Sequence, residues 1–391
     1  MAGLRERFGR PLRLAILGGG PSSWIGHMHR SAAELDGWWR IAGGVFSADA
    51  ARSREAGAAL GFDHARCYGT IGELIERERA RADPIEAVAI MTPNDTHHAL
   101  AAAALDAGID VVCDKPVTHD AAQARDLAAR ATRHGRLVAI THGYAAYPMT
   151  RYARHLAGEG ALGALRYVQV EYVQSGLATR IEDGPRNARL DWLLDPARSG
   201  LALVMSAIGC HAQHLASFVV NRRVASVCAD VLSVVPGRRV VDTVSALLRF
   251  EGGLAGTFTA FQAAAGSEND IRLRVYGEKG MLEWTHRECS YLRVAMHNEG
   301  PRVVGRGDAG LPPGIAALGR APRGHPEGLR EAFANIYAEV AQERMARSLG
   351  ERVPAFVYPR IEDGVHTMAF IEACVASNGR WVEVGQESVD S

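Results

Sequence analysis

The chain has 391 residues, more than one hydrophobic core usually serves, so two domains are expected. Its 44 lysines and arginines balance 44 aspartates and glutamates, which leaves no electrostatic footprint for nucleic acid or a membrane surface. No apolar run approaches the roughly 20 residues of a membrane span, the N-terminal MAGLRERFGRPLRL lacks the apolar stretch of a secretory signal, and six scattered cysteines without CxxC spacing read as thiols of a cytoplasmic protein. In chain order, LRLAIL (12–17) is a short β-type run followed by GGGPSSWIG and a segment with helical spacing. WRIAGGVFS (39–47) is a second strand, and 48–60 has helical character. Strands over 86–93, 109–116 and 137–144 then alternate with helices over 97–108 and 120–135. Such alternation means βαβ units, right-handed crossovers and a doubly wound parallel sheet, here ending near residue 150.

Beyond residue 150 the pattern changes. Alternating runs at 164–175, 223–234, 243–262, 271–284 and 292–297 predict an open, mainly antiparallel sheet, with EGG and GEKG as turns. Helices are expected at 200–219, 327–347 and 361–377, the last packing back on the first domain. The Gly/Pro-rich stretch 299–325 reads as a long loop. The fold class is therefore α/β, with domains at 1–150 and 151–391, the second an α+β domain.

The first strand runs into Gly18-Gly19-Gly20-Pro21-Ser22-Ser23-Trp24-Ile25-Gly26. Gly18 and Gly20 match two positions of a GxGxxG; Ser23 holds the third, and Gly26 comes three residues late. The strand before and the helix after suit a dinucleotide pyrophosphate on backbone amides, with Gly18, Gly19, Gly20, Ser22, Trp24 and Ile25 as contacts. At the end of the second strand the ribose-binding acid is absent from Phe46-Ser47. Asp49 and Arg52 lie close by, so Ser47 and Arg52 are candidate contacts, and NAD is favoured with NADP open.

Two further strand exits carry chemistry. Ligands of a doubly wound sheet lie beyond the carboxyl ends of its strands. There stand Thr92-Pro93-Asn94, followed by His97, and Asp114-Lys115-Pro116. These strings, TPNDTH and DKP, resemble the TPN-x-x-H and EKP signatures of the Gfo/Idh/MocA family of NAD(P)-dependent oxidoreductases. LGALRYVQVEY, RFEGGLAGTF, RVYGEKGMLEW and EDGVHTMAFIEA extend the resemblance from about residue 12 to 384. It implies an N-terminal Rossmann domain. Thr92, Pro93, Asn94, His97, Asp114, Pro116 and His142 would sit near the cofactor. Lys115 would be part of an acid/base relay at a substrate alcohol. It also implies a homodimer or homotetramer through the C-terminal sheet and a small-molecule substrate.

The family's second signature is a carboxylate four residues before a histidine, on one helical face. His211 matches the histidine; Ala207 stands where the aspartate belongs, and Trp192-Leu193 replaces a Trp-Arg. Three chemistries stay open: alcohol oxidation by Lys115 and His211 alone, reduction of an imine or enone, or dinucleotide binding with weak catalysis. Tyr144, Trp192 and His325 are further candidate substrate contacts. His211 and His214 have the spacing of a metal pair, but no third ligand is evident, so no metal is expected.

Overall fold

The computed structural model describes residues 2–185, 188–199 and 202–385. The chain forms two compact units: 1–146 with 329–364, and 147–328 with 365–391. The sequence pattern suggests one crossing near residue 150; the chain in fact returns, so that Leu329–Ser348 belongs to the first unit.

In the first unit β1 (Leu12–Gly18), β2 (Trp39–Val45), β3 (Ala87–Met91), β4 (Asp110–Cys113) and β5 (Val138–Ile140) form a parallel sheet in the order β2-β1-β3-β4-β5. Every residue of β3, β4 and β5 is buried. That is why these strands read as unbroken apolar runs rather than alternating ones. The crossover helices begin where a side chain caps them. Ser23, Asp49, Thr70 and Asp120 each accept the backbone N–H three residues on. The strand order reverses between β1 and β3, where a crevice for a ligand opens at the carboxyl ends. Helix Leu329–Ser348 packs on helix Trp24–Glu34. Trp39 Nε1 donates to Tyr337 O at 2.8 Å, and a Cβ on Gly143 would lie 2.6 Å from the Phe333 ring. The glycine admits that helix.

The second unit is built on nine strands: β6 (Leu165–Val173), β7 (Val224–Leu232), β8 (Thr243–Phe250), β9 (Ala255–Phe261), β10 (Asp270–Gly277), β11 (Gly280–Thr285), β12 (Tyr291–Met296), β13 (Arg302–Gly305) and β14 (Trp381–Glu383). Their order is β13-β12-β11-β10-β6-β9-β8-β7-β14; β6 and β9 pair parallel, the other neighbours antiparallel. One face carries Val168, Val170, Phe258, Ile271, Leu273, Leu282 and Trp284, all buried. Helices Pro148–Gly158 and Cys210–Val220 cover it, and Phe370 meets Phe258 edge-on at 5.4 Å. Each fully buried aliphatic side chain there contributes about 1.5–3 kcal/mol. The opposite face is polar, with Arg272 3.7 Å from Glu171 across strands and Arg274 on Glu283, but it exposes Leu247 and Trp381.

Candidate active site

The glycine turn after β1 is forced by space. Gly18 and Gly19 have φ of +86° and +62°, and a Cβ on Gly19 would lie 2.5 Å from Met91 Sδ. A Cβ on Gly26 would come within 2.5 Å of Gly19 Cα and O. Gly26, late by the motif's count, therefore performs the close helix-to-turn packing that the third glycine of a fingerprint performs. The chain spends the extra residues on a turn and on Ser23, which caps the helix through Gly26 N at 3.0 Å. Arg30, from the same helix, donates to Gly19 O. Ser22 and Trp24 are exposed beside this turn, and Ile25 is half-buried.

At the exit of β2, Ser47 Oγ accepts the Asp49 N–H at 3.2 Å, and Asp49 caps the next helix by accepting Arg52 N at 2.8 Å. The acid is thus engaged locally, and the Arg52 side chain is exposed.

The exits of β3 and β4 are tied together by His97. Its ring is 1% exposed, with Nε2 2.8 Å from Thr92 O and Nδ1 2.9 Å from Pro116 O. His97, whose motif implies a cofactor contact, thus braces the two turns. Asn94 is buried, and its Oδ1 has no hydrogen-bond partner among the described residues. A buried acceptor without a donor, next to a glycine turn no Cβ can enter, is what a dinucleotide site requires of its walls. Asp114 N–H donates to Ile90 O at 2.8 Å, and Asp114 Oδ1 accepts Lys115 N–H at 2.9 Å and the Thr141 hydroxyl at 2.8 Å. The carboxylate therefore fixes the peptide from which the half-buried Lys115 extends. His142 and Tyr144 follow β5 and are buried.

Beneath these turns lies a pair that the sequence does not announce. His29 Nδ1 is 2.7 Å from the Tyr337 hydroxyl, both side chains fully buried. Burial pushes the His29 imidazole down to about 4, against a smaller opposing pull from Asp114. Burial, and then Asp114, hold the Tyr337 phenol well above its ordinary range.

In the second unit His211 lies in the first turn of helix Cys210–Val220, its ring 6.4 Å from that of Tyr172. The turn before it, Met205–Gly209, is a π-turn in which Cys210 N–H reaches Met205 O. Ser206 stands five residues before His211 and Ala207 four. π-Turns concentrate at functional sites. Gly200 and Leu201, the expected start of this helix, lie outside the described residues. Trp192 is half-buried in the short helix Ala188–Leu193. His214 is buried and stacks on Phe218 at 6.0 Å. His325 is exposed; its carbonyl accepts from Arg306 at 2.7 Å, and Arg306 Nη1 lies 2.9 Å from Glu327 Oε1 in a buried pair beside the segment 299–325, which the sequence suggests as one loop but which carries β13 and the short helix Pro313–Ala316.

The same sheet carries a polar row that sequence reading missed. On the helix-covered face, past the last apolar residue, stand Gln262 after β9, Gln174 after β6, Asn269 before β10 and His286 after β11. Gln262 Nε2 donates to Gln174 Oε1 at 3.2 Å; Gln174 Nε2 donates to Asn269 Oδ1, which also accepts the Tyr172 hydroxyl at 3.2 Å. Strand parity was the available signal: each residue is two on from a buried inner-face position.

Comparison with known proteins fits this picture. Residues 12–142 match the family model described as "Oxidoreductase family, NAD-binding Rossmann fold", and residues 150–283 match the "GFO/IDH/MocA C-terminal domain". The chain belongs to the Gfo/Idh/MocA family. It is 32% identical over 383 residues to the Bacillus subtilis (strain 168) protein named "Uncharacterized oxidoreductase YfiI", covering 96% of this chain and 97% of that one. A solved inositol dehydrogenase homolog from Azotobacter vinelandii, complexed with NAD+, superposes with a TM-score of 0.92 at 34% identity, covering 96% of this chain and 98% of that one. An oxidoreductase from Sinorhizobium meliloti is 38% identical with a TM-score of 0.85, over 95% of this chain and 99% of its own. This family member is an NAD-binding oxidoreductase, with the dinucleotide-binding domain and the large, mainly antiparallel sheet expected from its sequence. Among the described residues no helix is long and apolar enough to cross a membrane.

Proposed function

We propose that this protein interconverts a secondary alcohol and a ketone on a sugar, polyol or related small metabolite, with Lys115 moving the proton. The observation that carries the reading is the Asp114-Lys115-Pro116 turn, held at the carboxyl end of β4 and braced by His97 to the Thr92-Pro93-Asn94 turn. The Azotobacter homolog, also solved with NADH and myo-inositol at 34% identity, supports a polyol-sized substrate. Bound NAD supplies the hydride acceptor; the turns around Gly18–Gly20 and Asn94 would hold it. Asp114 spends one oxygen on Lys115 N and Thr141, so the peptide preceding the amine is positioned before substrate arrives. Lys115 then accepts the alcohol proton in oxidation and returns it in reduction. His211 is the proposed second proton-handling group, with Tyr144, Trp192 and His325 as further candidate substrate contacts. Ala207, which brings no carboxylate below His211, favours a second reading in which reduction of a ketone, imine or enone is the faster direction.

The protein is also proposed to act in the cytoplasm, consistent with six free cysteines. A second copy is proposed to cover the open face of the nine-stranded sheet, where Leu247, Tyr291 and Trp381 are 49%, 47% and 45% exposed. Lys115→Met tests the reaction. NADH fluorescence titration is expected to stay within about threefold of the native affinity while turnover falls by roughly 10²–10⁴. Near-native turnover would assign the proton transfer to another group.

A further inference from the structure

The amide row of the second unit has a polarity, and the polarity selects a ligand. The side-chain bonds within it run toward Asn269. The Tyr172 hydroxyl and Gln174 Nε2 both give to Asn269 Oδ1, and Gln262 Nε2 gives to Gln174 Oε1. Backbone bonds fix the members: Gln174 N–H to Phe261 O at 2.8 Å, Gln262 N–H to Asp242 O at 3.0 Å, and Leu177 N–H to Gln262 O at 2.8 Å. What remains at the head of the row is Gln262 Oε1. Gln262 is 8% exposed, and this oxygen is buried without a hydrogen-bond partner among the described residues. An unsatisfied buried acceptor is costly to a fold, and a donor from outside the chain would relieve it.

The row is also electrically neutral. At its far side His286 Nδ1 gives to Asn269 O at 3.2 Å, and burial holds that ring's pKa below its ordinary value, favouring the uncharged form. On the Gln262 side the Asp242 carboxylate is bound by Arg238 at 3.2 Å, both side chains with no exposed surface. A carboxylate or phosphate at Gln262 would set lone pair against lone pair with no cation in the row to offset it. A hydroxyl would complete the row. The π-turn below His211 packs on β9, the strand that leads into Gln262.

We propose that Gln262, supported by Gln174, Asn269 and Tyr172, is a specificity-determining subsite that accepts a hydrogen bond from a hydroxyl of an uncharged polyhydroxylated substrate and discriminates against anionic sugars. This rests on the alcohol–ketone reading above and narrows it.

The test uses the full chain with saturating NADH and three probes: myo-inositol, D-glucose and D-gluconate. Probe binding is read as the change in NADH fluorescence and in melting temperature. At least one neutral probe is expected to bind, with gluconate tenfold weaker or worse. Gln262→Leu is expected to weaken the neutral probe by about tenfold or more. Its NADH affinity should stay within about twofold, and its melting temperature should fall by no more than the loss of the single bond to Gln174 Oε1 explains, because the other group removed is an acceptor without a partner among the described residues. A purely structural Gln262 would show the lower melting temperature together with native probe affinity. Gln262→Met is the second variant if Leu does not fold, with the same expectation. The subsite is overturned if neither neutral probe binds, if gluconate is preferred, or if probe affinity survives in the variant. Polyol binding through Gln262 without hydride transfer would keep the subsite and refute the reaction; polyol oxidation with an unchanged KM in Gln262→Leu would do the opposite.

Discussion

The two candidate polar sets of this molecule are built in opposite ways. In the first unit the chemistry comes in strings. Thr92-Pro93-Asn94 and Asp114-Lys115-Pro116 are each continuous in the chain, because a parallel strand ends and its next few residues must form the rim of the crevice. In the second unit the polar row draws single residues at 174, 262, 269 and 286 from four neighbouring strands. Each is unremarkable in its own segment, and the row exists only once register and strand order are known. Local strings can be read from the sequence alone; a polar row assembled across a sheet has to be read from pairing.

The largest effect expected from breaking the local set is at Gly26. A Cβ there would meet Gly19 backbone atoms at 2.5–2.7 Å, so Gly26→Ala must displace the glycine turn. NADH affinity should fall by about 100-fold, the equivalent of roughly 3 kcal/mol of strain and lost contact, with far-UV circular dichroism unchanged. Native affinity would mean that the helix tolerates the shift and that Gly26 is not the packing glycine.

His29 tests the support below the strings. Its folded value of about 4 lies under the ordinary 6.5, so the unfolded chain takes up the proton first as pH falls. The stability that neutral His29 represents is complete above pH 6.5 and is lost progressively between there and about 4. By pH 5 the loss is about 2 kcal/mol. In His29→Gln, which keeps a partner for the Tyr337 hydroxyl, that part of the acid sensitivity should vanish. Urea unfolding at pH 7 and pH 5 measures it; parallel losses in both proteins would place the burial penalty elsewhere.

The smallest effect is expected in the second unit. Ala207→Asp puts a carboxylate below His211 and should favour the imidazole's proton-accepting role, raising the saturated oxidation rate of a polyol about threefold at pH 7. A fall in that rate would show that the π-turn aims position 207 away from the chemistry and that Ser206 holds the place instead.

These differences mark what the sequence discloses. The alternation of apolar runs and helices in the first 150 residues, and the hairpin turns later, are dictated by local periodicity, and both sheets follow from them. Gly26 looked misplaced because a motif counts residues, whereas packing counts space. His97 carries a family signature, yet its two ring nitrogens are occupied by carbonyls of both turns. The π-turn leaves no mark in composition, since Met-Ser-Ala-Ile-Gly is equally compatible with an α-turn. The return of Leu329–Ser348 to the first unit depends on Trp39, Gly143 and Tyr337, residues separated by up to 298 positions.

The central claim is that Lys115 handles the proton while hydride leaves a carbinol carbon of an uncharged polyol or sugar. The most direct measurement follows deuterium. The protein is incubated with NAD+ and perdeuterated myo-inositol, then with perdeuterated D-glucose, and the reduced nicotinamide is analysed by mass spectrometry. The account predicts one deuterium per reduced cofactor from at least one substrate, and a yield at least 100-fold lower per unit time in Lys115→Met. Reduced cofactor without deuterium, no reduction from either substrate, or undiminished transfer in Lys115→Met would contradict it.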